Sequence, residues 1–254
     1  MIKNNFSFVC GVLLGLAGWL ATSARAETPT LYATMIANSH LQCMASKVMG
    51  RVYGNLGMRM EVLPMPAKRA LAYSSSGQAD AELLRLEGFS KQYPDLLPVP
   101  EPYLGFSGVA FSGPVVGTIS GWKDLRAYRV GVVRGVRYSN EGTEGMERIL
   151  ANDLPQLFDL LEKGRVSVVV TSRVSGSVEV ARRGLTPSIV VNGQPLYERP
   201  LYHYVHRDHA ALIPLLDAEI RRMKASGELQ AITDQALDEL LLNAQTGGLS
   251  ECTQ

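Results

Sequence analysis

The sequence predicts an α/β fold made of two lobes that face each other across a cleft. Two observations carry this prediction. Apolar segments suited to buried strands alternate with segments of helical periodicity in two successive units, and one extended segment joins the units in each direction. Such alternation builds parallel sheets with helices on their faces, and open α/β sheets bind ligands at the carboxyl ends of their strands. We therefore expect function in the cleft.

The first unit has the order β-α-β-α-β. Its three predicted strands are TLYATMI (30–36), RMEVLPM (59–65) and ADAELLRL (79–86), each short and mostly apolar. Asn38 and Ser39 are suited to cap the first helix. The apolar positions of that helix recur every three or four residues: Leu41, Met44, Val48, Val52 and Leu56. The segment AKRALAYSSSG is the second predicted helix.

The second unit follows a proline-rich stretch over 94–102 and the extended segment FSGVAFS (106–112). Its predicted strands are 128–133, 146–150, 166–172 and 187–191, and its predicted helices are about 137–144, 154–164 and 174–184. The extended segment LYHYVHR (201–207) then returns to the first unit, and two amphipathic helices over 211–227 and 228–243 complete it. The predicted lobes are 27–111 plus 204–254 and 112–203, with crossings near 107–113 and 200–206.

The first 26 residues have the pattern of a secretory signal peptide. A charged start, MIKNN, precedes an apolar stretch, and the segment ends with Ala24-Arg25-Ala26, an A-x-A site that predicts cleavage before Glu27. An uncleaved membrane anchor is the alternative, but the apolar run is short and interrupted by glycine. We expect export to the periplasm.

Charge and cysteine content limit the partners. Without Lys3 and Arg25, 23 of the 25 basic residues remain against 24 acidic ones, so no nucleic-acid partner is expected, and we expect a monomer. Two cysteines remain, Cys43 and Cys252, and an oxidising compartment favours one disulfide between them. The alternative is a buried Cys43 thiol and a Cys252 that lies loose in the tail.

Four stretches resemble a known family in order and spacing. They are "MPAKRALAYSSSGQADAELLRLEG", "YPDLLPVPEPYLG", "WKDLRAYRVGVVRG" and "QLFDLLEKGRVSVVV", and together they span most of the mature chain. The chain resembles the type II periplasmic solute-binding proteins of extracellular family 3, the polar amino-acid class. The resemblance implies a hinged clamp that needs no cofactor, closes on a small solute, and either delivers it to an ABC permease or reports it to a membrane sensor.

The chain departs from that family at both charge partners of an amino-acid ligand. Gln92 stands where the family places an arginine for the ligand carboxylate, although Arg85 lies seven residues earlier. Ser172 stands where the family places an acidic residue for the ligand amine. A buried ammonium without a charged partner typically costs a few kcal/mol. A generic α-amino acid is therefore disfavoured, and we expect a small polar, anionic solute.

The segment GVVRGVRYSN (131–140) supplies the predicted anion contacts of the second lobe. Gly135 follows a buried strand and allows a tight turn, and the residues after it open a helix whose free N–H groups favour an anion. Arg137 and Arg134 could add a guanidinium clamp. The alternative is that both arginines point into solvent beside Glu141 and Glu144.

Arg85 and Arg69 are the cations that the first lobe is expected to contribute. Arg85 ends an apolar strand at the cleft, and its alternative role is a salt bridge with Glu82, Glu87 or Glu101. Arg69 begins a helix, where a cation is unfavourable unless an anion is close, and its alternative is a solvated first turn.

Met35, Asn38, Ser39 and Tyr103 are further candidates for the cleft wall. Met35 lies near the end of the first strand, Asn38 and Ser39 follow it, and Tyr103 precedes the crossing. Side chains of these types more often pack in a core or cap a helix.

Catalysis and metal binding have little support. The sequence has no P-loop, no G-x-S-x-G elbow and no Cys-x-x-Cys. His203, His206 and His209 alternate between faces of an extended segment, so no metal site is expected. Two further alternatives are an interaction module and a dehydratase-like enzyme. The enzyme would use an acid or base such as Glu82, Glu101 or Asp153.

Overall fold

The predicted α/β alternation is present in the computed structural model, which describes residues 29–247. The predicted signal peptide and Cys252 lie outside this range. The strands are β1 (Thr30–Ile36), β2 (Arg59–Met65), β3 (Ala81–Leu86), β4 (Leu96–Pro98), β5 (Leu104–Ser112), β6 (Val130–Val133), β7 (Arg148–Ala151), β8 (Val168–Ser172) and β9 (Val190–His206). The α-helices are α1 (His40–Asn55), α2 (Ala67–Ser75), α3 (Arg137–Gly142), α4 (Leu154–Glu162), α5 (Arg173–Arg182), α6 (Ile213–Ser226) and α7 (Glu228–Thr246).

The strands form one sheet in the order β2-β1-β3-β9-β5-β8-β6-β7, and β4 pairs with β9. Strand β1 is parallel to β2 and β3, and β6 is parallel to β7 and β8. The antiparallel pair of β5 and β9 joins these two parallel groups. We call β1–β3 with α1, α2, α6 and α7 the first half, and β6–β8 with α3, α4 and α5 the second half. The α/β class is confirmed, and the predicted lobe boundaries remain a proposal.

Strand β9 differs from its prediction. The sequence indicates separate strands at 187–191 and 201–207, because Gly193, Pro195 and Pro200 lie between them. In the structure one strand runs from Val190 to His206. Its pairing with β5 shifts register between Gly108 and Ala110, whose partners are Tyr197 and Asn192. The shift leaves Gly193 and Pro195 out of the ladder, whereas Pro200 stays in register opposite Gly105.

Each half has its own apolar core. In the first half α1 packs on β2 and β3, α6 and α7 pack on α1, and buried side chains such as Met49, Tyr53 and Ile220 belong to one cluster. In the second half one cluster lies around Phe111 and Phe158, and another contains residues of β6 and β8. Two separate cores joined by paired strands are the architecture that permits hinge motion.

Helix α1 carries Cys43, which is 4% exposed and disulfide-bonded. The pairing with Cys252 remains a prediction, because Cys252 is outside the described residues. Within residues 29–247 the helices include none with the length and apolar character of a membrane span.

A buried histidine stabilises the first half. His203 on β9 is fully buried; its Nδ1 lies 3.1 Å from the Leu83 carbonyl oxygen, and its Nε2 lies 2.9 Å from the Tyr53 hydroxyl. A neutral ring that donates from Nδ1 to the carbonyl and accepts from the tyrosine satisfies both contacts. Burial lowers the pKa of His203 from 6.5 to about 4.

We expect the stability of the protein to fall between pH 6.5 and pH 4. The unfolded chain protonates His203 near pH 6.5 and the folded chain only near pH 4, so the unfolded state binds more protons in this window. The full contribution of neutral His203 to stability is therefore present above pH 6.5, and about 3 kcal/mol of it is lost by pH 4. Urea unfolding at several pH values measures this loss.

The double variant Tyr53→Phe/His203→Leu isolates the effect, because it removes both polar partners together. The Leu83 carbonyl retains the Tyr103 hydroxyl as a donor at 2.8 Å. We expect most of the pH dependence in this window to disappear. Some slope should remain, because burial also lowers the pKa of His40. An unchanged slope would show that His203 is not the titrating group.

Candidate functional site

The candidate site is a groove of about 420 Å³ at the carboxyl ends of β1 and β3. Its apolar lining residues are Ile36, Leu41, Leu84, Leu86, Phe89 and Leu201. Its polar lining residues are Ser39, Gln42, Arg85, Glu87 and Gln92, and Gly88 completes the wall. The groove thus combines an apolar surface with a few polar groups, as small-molecule sites do.

Two other hollows are larger but less suited to binding. One of about 630 Å³ lies at the amino ends of β6 and β8, beside Tyr128 and Ser167. The other, of about 740 Å³, lies between α1 and β2. Open α/β sheets bind ligands at the carboxyl ends of their strands, so position favours the smaller groove.

The turn between β1 and α1 shapes one wall of the groove. Asn38 has a φ of 59°, which permits the sharp turn, and Ser39 caps α1 by accepting from the Gln42 backbone N–H at 3.4 Å. The Gln42 side chain accepts from Ile36 N–H at 3.0 Å and donates to the Leu84 carbonyl at 3.4 Å. Gln42 therefore joins the ends of β1 and β3. Sequence reasoning missed Gln42. The signal that could have indicated it is that this polar residue directly follows Leu41, an apolar position of the predicted helix.

Arg85 lies in the groove but already has an acidic neighbour. A register irregularity in β3 between Glu82 and Arg85 lets both side chains meet, and Arg85 Nη2 is 2.7 Å from Glu82 Oε1. Glu82 is fully buried, and its Oε2 accepts from the hydroxyls of Thr34 at 2.6 Å and Ser74 at 2.8 Å. The guanidinium also lies 5.3 Å from the centre of the Phe89 ring.

The pairing with Glu82 corrects one expectation from the sequence. The sequence predicts positive charge in the cleft without acidic partners, whereas Arg85 pairs with Glu82 and Arg137 pairs with Glu141. The contact of Arg85 is close but not aligned as a hydrogen bond, since Nε and Nη2 of Arg85 are buried without a hydrogen-bond partner in the described residues. The charge of the guanidinium is therefore compensated, and these two nitrogens are closed to solvent.

The predicted cations of the second half lie on its surface. Arg134, Gly135 and Arg137 are exposed, and Gly135 has the positive φ, 78°, that its predicted turn requires. Arg137 is 88% exposed, and its Nε donates to Glu141 at 2.8 Å. That hydrogen bond raises the pKa of Arg137.

The remaining predicted polar contacts also lie apart from the groove. Ser172 caps α5 by accepting from the Ser175 N–H at 3.4 Å. Arg69 is exposed on the first turn of α2. Neither these residues nor Arg134, Gly135 and Arg137 line the groove, so their contact with a ligand remains a prediction.

Two predicted wall residues belong to the core, and this is a second correction. Met35 is fully buried in the cluster beneath α1. Tyr103 is 2% exposed and donates to the Leu83 carbonyl at 2.8 Å, and burial raises its pKa. Met35 points inward by the alternation of β1, and Tyr103 precedes β5, where it packs against β3. Of the four wall candidates, only Ser39 lines the groove, while Asn38 is exposed in the adjoining turn.

An aromatic trio that sequence reasoning missed lies where the two halves meet. Tyr138 on α3 stacks on Tyr197 of β9 with 5.0 Å between ring centres. Phe106 on β5 meets both rings edge-on, at 5.3 and 6.0 Å. Burial raises the pKa of Tyr138. Gly108 makes room for it, since a Cβ there would lie 2.4 Å from the Tyr138 ring.

The acids considered for catalysis all have structural partners. Glu82 pairs with Arg85, Glu101 contacts Arg221 at 2.7 Å and Lys224 at 2.5 Å, and Asp153 caps α4. Among residues 29–247, no three His, Cys, Asp or Glu side chains are grouped to hold a metal ion.

Comparisons with known proteins agree with this architecture. No family model matches the chain. An uncharacterized protein of Shewanella oneidensis is 24% identical over 192 residues, which is 71% of each chain. Substrate-binding domain 2 of GlnP from Lactococcus lactis, in its open conformation, is similar in structure. Its TM-score is 0.68 at 15% identity, and the match covers 84% of this chain and 97% of that one.

A sensor domain is similar as well. A histidine kinase sensor domain with similarity to periplasmic binding proteins has a TM-score of 0.58 at 17% identity, and the match covers 83% of this chain and 96% of that one. At these identities the likeness establishes the fold. The chain therefore has the fold of the type II periplasmic binding proteins, as its resemblance predicted.

Proposed function

We propose that this protein is an exported solute-binding protein that captures a small polar solute in the groove and closes over it. The observation that carries the proposal is the groove itself, which lies at the carboxyl ends of β1 and β3 and is lined by Arg85 together with apolar side chains. Strands β5 and β9 run beside it and connect the two halves, which is the arrangement needed for hinge closure.

The chemistry of the groove narrows the class of solute. Arg85 and Glu82 compensate each other, and Leu41, Leu86 and Phe89 offer apolar surface. A solute with an apolar body and a hydrogen-bond acceptor suits these groups. We assign the predicted acidic group of the solute to the exposed Arg134 and Arg137, which closure of the second half would bring toward the groove.

The partner is proposed to be an ABC importer that receives the solute in the periplasm. The predicted signal peptide and the fold support this assignment. Input to a membrane sensor is the second candidate, and the similar histidine kinase sensor domain favours it. Genetic deletion separates the two, because loss of an importer component abolishes uptake of the solute, whereas loss of a sensor partner abolishes only the response to it.

A thermal-shift screen tests solute binding. A panel of carboxylates, amino acids and amines is used, because a ligand that binds only the folded state raises the melting temperature. We expect shifts from carboxylates that carry an apolar body. A shift confined to cationic amines would overturn the anionic assignment. If none of the compounds raises the melting temperature, the proposal that the protein captures solutes of these classes is wrong.

Matched variants locate the site of any solute that binds. Leu86 in the groove is 44% exposed, and Leu215 on α6 is 51% exposed. We expect Leu86→Ser to weaken binding about tenfold through loss of apolar contact, and Leu215→Ser to leave it unchanged. Calorimetric titration measures both. Equal effects would place the site elsewhere.

A further inference from the structure

An apolar cluster joins the two halves through three helices. We call it the interlobe cluster: Cys43 and Met44 on α1, Val178 on α5, and Ala236 and Leu240 on α7. Each of these five side chains is at least nine-tenths buried. Helices α1 and α7 belong to the first half and α5 follows β8 in the second half, so the cluster is a contact between halves in addition to β5 and β9.

Helix α7 is anchored to the first half by charged side chains. Lys47 on α1 pairs with Glu239, and Arg51 Nε lies 3.3 Å from Glu228 Oε1. Asn55 Nδ2 donates to the same Glu228 oxygen at 3.2 Å. Three contacts spaced along α1 therefore join α7 to the first half.

Helix α5 is anchored to the second half. Arg183, which follows the last residue of α5, reaches Asp159 on α4 at 2.6 Å. Val180 belongs to the core around Phe158. Rotation of the second half about β5 and β9 must therefore move α5 and shift Val178 within the interlobe cluster.

The interlobe cluster also touches the candidate site. Leu41 packs against the cluster and lines the groove. A shift of α5 against α1 and α7 therefore reaches the groove through one side chain. The groove is lined by the first half together with Leu201 of β9, so the second half has not closed over it.

We propose that the C-terminal half of α7, residues 236–244, is a strap that holds α5 against α1 and sets how far the halves stand apart in the unliganded protein. This inference rests on the hinge closure in the proposed function. The strap selects one resting arrangement, since leaving that arrangement exposes apolar side chains that are now buried.

The test measures the distance between the halves without any ligand. Spin labels are attached to p-acetylphenylalanine introduced at the exposed positions Lys91 and Lys123, which leaves the cysteines untouched. Pulsed electron paramagnetic resonance then gives the distance distribution in the full chain. We expect a narrow distribution in the parent and a broadened or displaced one in Leu240→Ser. Leu242→Ser, a 58% exposed position on the same helix, should match the parent.

A milder variant on the other half keeps the test independent of folding. Val174 on α5 is only partly buried and packs against the interlobe cluster. Val174→Ser should broaden the distribution in the same way, although it leaves α7 intact. Parent-like distributions in both Leu240→Ser and Val174→Ser would overturn the strap, and so would an equal change in Leu242→Ser. If no solute binds in the thermal-shift screen but the two variants still broaden the distance distribution, the proposed function is wrong and the strap is supported.

Discussion

Replacing Gly193 with alanine is expected to lower the free energy of unfolding by roughly 3 kcal/mol or more. Gly193 has a φ of 76°, which side chains rarely adopt. A Cβ at this position would lie 1.8 Å from the Ile119 carbonyl oxygen and 2.7 Å from its carbon. These are backbone atoms, so no flexible side chain can swing away. Urea unfolding of the parent and the variant measures the loss.

Two hydrogen bonds keep the backbone of Ile119 from retreating. Its N–H donates to the Asn192 side chain at 2.9 Å, and its carbonyl accepts from the Gln194 N–H at 3.2 Å. Both partners are immediate neighbours of Gly193. Any shift of Ile119 that relieves the clash must therefore break the hydrogen bonds that hold it to β9.

Gly57→Ala is the matched control, because it isolates the cost of the backbone angle. Gly57 has a φ of 72°, and no described residue other than its two chain neighbours has an atom within 4 Å of the position that an added Cβ would occupy. We expect a loss of about 1 kcal/mol there. Similar losses in the two variants would show that the segment around Ile119 adapts and that the close approach is not limiting.

The order of strands and helices could be predicted because most elements carry a local signal. The segments at 30–36 and 59–65 match β1 and β2 to the residue, since each is a short, mostly apolar segment bounded by turn or cap residues. Strand β9 could not be predicted as one element. Its continuity depends on a register shift opposite Gly108 and Ala110, and pairing across the sheet is not encoded in any single segment.

The candidate site was predicted less well, because side-chain direction depends on long-range packing. The position of Arg85 at the end of β3 was predictable, but its turn toward Glu82 follows from the irregular register of β3 against β9. Phe106, Tyr138 and Tyr197 lie in three separate segments. Only the fold brings their rings together, so no spacing in the sequence indicated the trio.

Glu82→Gln is expected to lower the free energy of unfolding by about 3 kcal/mol, because it leaves the Arg85 charge without its partner in a largely buried place. The Arg85 side chain is 14% exposed and Glu82 is fully buried. Glutamine keeps the shape of the side chain and an oxygen for Thr34 or Ser74, so the loss reports the charge and not a cavity. Chemical denaturation of the parent and the variant gives the difference.

The double variant Glu82→Gln/Arg85→Gln should recover much of that stability, because a buried ion pair replaced as a whole often costs little. If adding Arg85→Gln to Glu82→Gln costs as much stability as Arg85→Gln costs alone in the parent, the two groups do not interact.

A second readout concerns the groove. With Glu82 neutral, the guanidinium of Arg85 is no longer compensated, so the affinity of the groove for carboxylates should rise in Glu82→Gln even as stability falls. If Glu82→Gln lowers stability and raises affinity for carboxylates, then Glu82 is the group that limits the positive charge that Arg85 presents to a solute.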